Sequence, residues 1–437
     1  MENKASSLFV IVLTALLVVI IWSCFAPGFM SYDSMVQYQT ALDQRYTDSH
    51  PAIMSYIWNL CMLLLPGPQS LLILHLTVLV LGILIWCANF VHSTWAVLIP
   101  GIFFLPWVIN FSGVLWKDVG MAFCLLLVTG LFFNRVKNKW MIGLAIPFIF
   151  YAAAVRHNAI LAIAPIIFYT IRYYSPEKSG LQGVVITVLL SATLPLASSI
   201  LSYDILKAEK KHFETFLMGD EIAKISYVTG ENLLPWVRME DIKVCSKPSI
   251  LFERALCFIS KGYDPSGSLV VNIPYASTHA LWRKTVLANP LVYIQIRGEA
   301  FLYFLRLPKL VPYYTWHPGI MQNEFKIKLV NPDFAGFMQS YVETSQSLVS
   351  ELFKPYIWLL LSLIMMAMGS RMRPSLEKTQ VLALNASSLG YFFSYLLTVP
   401  SADFRYIYWC IIATNVSVVI LLASRERGEM TVGVIVN

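Results

Sequence analysis

The sequence predicts an all-α polytopic membrane bundle of about ten transmembrane helices, with one mixed, mainly helical domain outside the bilayer. Three observations carry this. The 437 residues are 57% hydrophobic and 13% charged, with a mean hydropathy of +0.64, against roughly 45–50% apolar residues in soluble domains. Apolar runs of about 18 residues recur along the chain, long enough to cross a bilayer as helices. Those runs do not alternate apolar and polar residues, as the strands of a membrane barrel do.

The first span covers 8–26 and ends at Pro27-Gly28. No small-residue cleavage site follows it, so it reads as a span and not as a leader. The polar stretch Tyr32–Pro51 comes next and concentrates Asp33, Asp43, Asp48 and His50. Ala52–Leu65 is apolar but short, and Pro66-Gly67-Pro68 stops it; it reads as an interfacial or half-buried helix. Further spans are expected at 69–90, 94–111, 119–134, 141–155, 158–172 and 182–203, which completes an N-terminal membrane module, 1–203. Residues 204–354 mix polar residues, Gly, Pro and charge, the composition of a folded extramembrane domain and not of a linker. The C-terminal membrane module, 355–437, holds spans at 355–370, 379–399 and 405–424. There is no internal repeat or low-complexity segment.

Lys and Arg orient the bundle. With the N-terminus inside, the inner loops hold Arg135, Lys137 and Lys139, then Arg172 and Lys178, then Arg371, Arg373 and Lys378, then Arg425 and Arg427. The opposite short loops hold Arg45, Lys117, Arg156 and Arg405, one each. The positive-inside rule then places both termini in the cytoplasm and 204–354 outside. The net charge of +7 is spread over short loops, which is not the footprint of a nucleic-acid partner. Five of the seven cysteines lie in apolar segments and read as small hydrophobes. Cys245 and Cys257 both fall in the outer domain, an oxidising setting in which they are expected to form a disulfide. No Cys/His spacing of a metal site occurs.

With this topology the polar residues at span ends fall on one face: Asp33, Asp48 and His50; Lys117 and Asp118; Arg156, His157 and Asn158; Asp403 and Arg405. Each has a structural and a functional reading. Asp33 could cap a helix, with Ser34 and Gln37 forming a capping box, or act as a general base toward a hydroxyl. Asp48-Ser-His-Pro51 could open the short helix, or His50 could bind phosphate or sugar. Asp118 suits a helix N-terminus, whereas Lys117 breaks the charge pattern and calls for a partner. Arg156 could snorkel to the interface or grip phosphate with its planar fork. Arg405 opposes the dipole at a helix start and needs an anion, either Asp403 or a ligand phosphate. The aromatic run Tyr313–Pro318 reads as an interfacial belt or a sugar-stacking surface. No phosphate-binding loop, dinucleotide fingerprint, HExxH or GxSxG motif is present.

Taken together, Asp33 just after the first span, His50-Pro51, Lys117-Asp118, Arg156-His157-Asn158 and Arg405-Tyr406 resemble the GT-C superfamily of integral-membrane glycosyltransferases. The resemblance covers about 1–203 and 355–437 and does not extend to 204–354. Size and layout are also similar to the serotype-converting O-antigen glucosyltransferases of temperate phage. The resemblance implies a bacterial inner-membrane enzyme that takes a hexose, glucose in the narrower match, from a polyprenyl-phosphate donor. The acceptor would be a periplasmic glycan such as the O-antigen of lipopolysaccharide. It further implies inversion at the anomeric carbon, donor phosphate held by Lys117, Arg156 and Arg405, and a base at Asp33 with Asp118 as alternate. Asp48, His50, His157, Asn158 and Asp403 would orient substrate. The first loop has no adjacent acidic pair, which some of these families carry; this puts metal dependence in doubt, and no cofactor is expected. An O-antigen polymerase or ligase is the nearest alternative. A transporter is the alternative from another class, but its site would lie near the bilayer midplane.

Overall fold

The computed structural model describes residues 2–90, 93–307 and 315–426; Tyr313, Tyr314 and Arg427 lie outside them. The described residues form helices, with three isolated β-bridges and no strand. α1 (Glu2–Phe25) leads into α2 (Tyr32–Asp43) and α3 (Ala52–Leu64), and α4 (Gln69–Ala88) follows. The short α5 (Leu98–Ile102) and α6 (Pro106–Ile109) precede α7 (Lys117–Phe132), α8 (Lys139–Val155), α9 (Ile160–Tyr174) and α10 (Gly180–Ser199). The long insertion holds α11 (Glu214–Thr229), α12 (Met239–Cys245), α13 (Leu251–Ser260), α14 (Tyr275–Ala288), α15 (Pro290–Phe304) and α16 (Pro332–Leu348). α17 (Pro355–Arg371), α18 (Leu376–Thr398) and α19 (Tyr408–Glu426) close the chain.

Ser7–Phe25, Gln69–Ala88, Gly180–Ile205, Leu376–Thr398 and Phe404–Arg425 are each long and apolar enough to cross a membrane, and Ala52–Leu64, Lys139–Val155 and Pro355–Arg371 are apolar but shorter. The chain is thus a helical membrane protein. α7 sits at its centre, packed by α4, α8 and α19, with every residue after Lys117 buried. That explains an apolar helix with no amphipathic stripe: it has no solvent or lipid side to mark. The expected span 94–111 is not one helix. It breaks into a 3-10 turn at Thr94–Val97 followed by α5 and α6. Pro106 is the cause, because it opens α6 at its first position and holds Leu105 extended.

The insertion packs in two parts. Ile222, Leu234, Ile242 and Phe258 form a small core of its own, and a disulfide between Cys245 and Cys257 links α12 to α13 beside it. The later part joins the bundle: Phe301, Phe304, Trp316 and Met338 belong to the main core. α15 packs on α18 and α16 on α1.

Helix ends gather in two polar sets. One holds Arg135, which pairs with Glu377 and donates from Nε to the Asn89 carbonyl at 2.9 Å, while Tyr173 donates to the Asn134 carbonyl at 2.9 Å. These come from the loops with the most Lys and Arg. The other set lies at the opposite ends of α7 and α8, around Lys117 and Arg156.

Candidate active site

The loop that carries Asp33 is fastened before α2 begins. Gly28 has φ +116°, and a Cβ there would meet the Leu115 side chain at 2.6 Å, so only glycine allows the turn and the close approach. Phe29 N–H then donates to Gly113 O at 3.0 Å and receives Leu115 N–H on its own carbonyl at 2.9 Å. Ser34 Oγ donates to Leu115 O at 2.9 Å. The start of α2 is thereby laid along the entry to α7, beside Lys117. The insertion clasps the same loop at both ends. Met30 N–H donates to Gly319 O at 3.1 Å, and Asp48 N–H to Glu209 O at 3.1 Å.

Asp33 is not a helix cap. The N-cap position is Ser31, whose side chain makes no capping bond; Ser31 Oγ instead accepts from Trp116 Nε1 at 2.8 Å. The capping box is also absent, since Ser34 bonds Leu115 and Gln37 Nε2 donates to the Asp33 carbonyl at 3.0 Å. Released from capping, the Asp33 carboxylate lies 33% exposed with Oδ2 at 3.3 Å from Arg405 Nη2. Burial tends to raise its carboxyl, but Arg405 and Lys117, with His50 and Arg156, outweigh it and hold the group below the usual carboxylate range.

Arg405 is held from three sides. Its guanidinium lies 4.4 Å from the Trp116 ring centre and 5.5 Å from that of Tyr406. Asp403 Oδ2 approaches Nε at 2.9 Å. That contact is an ion pair and not a hydrogen bond, because Nε has no acceptor in line. Asp403 also caps the turn, accepting from Arg405 N–H at 3.1 Å. The anion that Arg405 needs is therefore present in the protein twice over.

Arg156 and Asp118 form a second pair, with Nε donating to Oδ1 at 2.7 Å; Asp118 is 1% exposed and Arg156 15%. The other Asp118 oxygen has no hydrogen-bond partner among the described residues. A carboxylate so enclosed cannot meet an acceptor hydroxyl, so Asp118 is corrected from alternate base to the anchor of Arg156. The Arg156 guanidinium lies 5.0 Å from the Tyr406 ring centre, which puts both arginines against one aromatic ring. Lys117 differs from both: among the described residues it makes no ion pair or hydrogen bond, although Arg156, Asp33, Asp118 and Arg405 all act on its charge.

His50 is half-buried with Nδ1 unpaired. Burial, then the charge of Lys117, pushes its imidazole down to about 4 against the pull of Asp33. It is neutral near pH 7, which suits a sugar hydroxyl better than a phosphate. Asn158 donates to Ser394 Oγ at 2.9 Å and ties α18 to the rim, while His157 is exposed at that rim. Asp48 stands to one side, accepting from Tyr203 OH at 3.1 Å and from Lys211 N–H at 2.7 Å. It braces the loop against the start of the insertion.

Sequence reasoning missed His317. It is 5% exposed, edge-on to Trp116 at 5.2 Å and beside Phe29 at 6.3 Å. Asp33 and Arg405 both act on its charge, and burial pushes its imidazole down to about 4. Its place in an aromatic run was the available signal. Among the described residues no three His, Cys, Asp or Glu side chains are grouped to hold a metal ion.

The site therefore assembles one partly exposed carboxylate, two paired arginines, one unpaired lysine and a neutral imidazole at one end of the bundle. No protein-family model matches the chain, and no characterised protein matches it.

Proposed function

We propose that the protein is a membrane glycosyltransferase. It transfers a hexose such as glucose from a polyprenyl-phosphate donor to an extracytoplasmic glycan such as O-antigen. The observation that carries this is that Asp33, partly exposed, lies within electrostatic reach of Lys117, which makes no ion pair or hydrogen bond in the described protein. The acceptor oxygen attacks the anomeric carbon while the bond from that carbon to the phosphate oxygen breaks. The lipid phosphate leaves with the bonding electrons, and Lys117, backed by Arg156 and Arg405, stabilises its charge. Asp33 takes the acceptor proton. Attack opposite the leaving group inverts the anomeric centre.

A groove of about 480 Å³ between α1 and α4, lined by Val18, Val19, Trp22, Ile73, Leu76 and Val80, suits a prenyl chain. Adding α7, α8, α9, α17 and the broken 94–109 segment to the five long helices gives ten crossings. Both termini then lie in the cytoplasm of a bacterial inner membrane, with the insertion in the periplasm. The ionisable groups gather at helix ends, which favours this reading over a transporter with a midplane site. Incubation of purified protein with radiolabelled polyprenyl-phosphate glucose and O-polysaccharide tests the proposal. Label should move to the polysaccharide; uptake of sugar into proteoliposomes without such movement would reject it.

A further inference from the structure

A row of aromatic side chains runs along the insertion, away from the site. His212 stacks on Tyr275 with ring centres 4.0 Å apart and planes at 14°. Tyr275, His279 and Trp282 follow at 6.0 and 6.1 Å, and Tyr293 meets Trp282 edge-on at 6.3 Å. Tyr275, His279 and Trp282 are four and three residues apart on α14, which places them on one face of the helix. Trp282 packs with one part against the small core, but the row as a whole reaches the surface. Tyr275 is 38% exposed, and His212, His279, Trp282 and Tyr293 are each partly exposed. Among the described residues the Tyr275 hydroxyl and the His279 ring nitrogens make no hydrogen bond. Glu214, which approaches His212 at 3.2 Å, is itself 47% exposed.

Both ends of the row are tied to segments that flank the candidate site. At the near end, Lys211, next to His212, donates its N–H to Asp48 on the first loop at 2.7 Å. At the far end, Trp282 Nε1 donates to Glu221 Oε2 at 2.6 Å, and Glu221 Oε1 lies 3.3 Å from Arg297 Nη1. Arg297 Nε in turn donates to the Leu396 carbonyl at 3.2 Å, two residues beyond the Ser394 that holds Asn158.

We propose that this row is the binding surface for the acceptor, and that the acceptor is a linear glycan of several sugars. The inference rests on the glycosyltransferase reading above. A pyranose ring offers a face of C–H groups with hydroxyls around its edge. The negative face of an aromatic ring attracts the C–H groups, and the uncommitted Tyr275 hydroxyl and His279 imidazole alongside accept and donate at the edge. From Tyr275 to Trp282 the helix rises about 10 Å, longer than one sugar ring. A row of rings therefore selects a chain and not a monosaccharide.

The test uses the full chain in detergent, titrated calorimetrically with lipid-free O-polysaccharide from smooth enteric bacteria, with free glucose as control. The wild type should bind the polysaccharide saturably and glucose not measurably. The double variant Tyr275→Ala/His279→Ala should bind about tenfold or more weakly. The variant Tyr275→Phe/His279→Phe, which keeps the rings and loses the polar groups, should bind more weakly than the wild type but more tightly than the alanine variant. Alanine is the better helix former, so thermal unfolding should not move. In transfer assays the alanine variant should raise KM for polysaccharide and leave kcat and donor KM alone. A wild type that binds no polysaccharide, or an alanine variant that binds as tightly as the wild type, overturns the proposal. Polysaccharide binding by a protein that transfers no sugar would reject the glycosyltransferase reading and leave the glycan surface standing.

Discussion

Asp33 and Arg405 lie 372 residues apart in the chain and meet at 3.3 Å. Their contact joins the loop after the first long helix to the start of the last one. Arg405 stacks on Trp116, and Trp116 bonds Ser31, two residues before Asp33. Carboxylate and guanidinium thus share one support at the entry to α7.

Replacing Asp33 with Asn separates a chemical role from a structural one. The side chain makes no capping bond, and its pair with Arg405 is one-third exposed on the acid's side, so the pair is worth about 1 kcal/mol or less. Thermal stability should be near normal while the transfer rate with saturating donor falls on the order of 10²–10⁴-fold. Because Asp33 is held below the usual carboxylate range, it stays ionised on mild acidification. Its stabilising contribution is present above the unfolded carboxyl value and is lost as pH falls through its lower folded one. A fully active Asp33→Asn protein would place the base elsewhere.

Asp118 and Lys117 are neighbours whose variants should behave oppositely. Asp118→Asn leaves Arg156 buried without its counter-charge, which costs about 3–5 kcal/mol and should lower the unfolding temperature in detergent. Lys117→Met breaks no ion pair in the described protein and should leave that temperature unchanged. It should weaken donor binding by about tenfold or more, the equivalent of about 1.4 kcal/mol. Equal donor affinity in Lys117→Met and wild type would remove the lysine from the phosphate site.

The insertion should be pH-sensitive through Glu221. Burial raises its carboxyl to about 7 in spite of Arg297 and the Trp282 N–H. A raised folded value means the contribution to stability is complete below the unfolded value, about 4.3. It is lost as pH climbs toward about 7. Amide exchange in α11 should accelerate from pH 5 to pH 7.5, after correction for intrinsic rates, and Glu221→Gln should flatten that rise. The same slope in both proteins would assign the sensitivity to another group.

The disulfide gives a test of sidedness. Cys245 and Cys257 are joined across 12 positions, a loop whose closure is worth roughly 3 kcal/mol in the chain-entropy model. Reduction should lower the unfolding temperature, and alkylation without reductant should leave both sulfurs unlabelled. In cells with a permeabilised outer membrane, Lys261→Cys should react with an impermeant maleimide. Labelling only after the inner membrane is broken would invert the topology.

The parts legible in the sequence were those set by local pattern. Apolar runs gave α1, α4, α10, α18 and α19 nearly to their ends, because lipid demands length and apolarity and little else. Counting crossings brought Asp33, Lys117, Asp118, Arg156 and Arg405 to one end before any contact was known. The 94–111 segment failed because hydropathy is blind to what Pro106 does to a backbone. Asp33 was misread as a possible cap because its true neighbour, Arg405, lies at the far end of the chain. His317 was hidden for the same reason: the segment around it has no period, and its hydrogen bonds go to Met30 and Asn110 through Gly319 and Thr315.

The double clasp on the first loop sets what can be exchanged in this protein. A chimera that replaced 204–354 whole would remove Glu209 and Gly319 together, and with them the two backbone contacts that fix the ends of the Asp33 loop. The portable unit is narrower: the small core around Ile222, Leu234 and Phe258 with its disulfide. Diversification of the chain can therefore proceed in the middle of the insertion while its two borders stay under the same constraint as the membrane half.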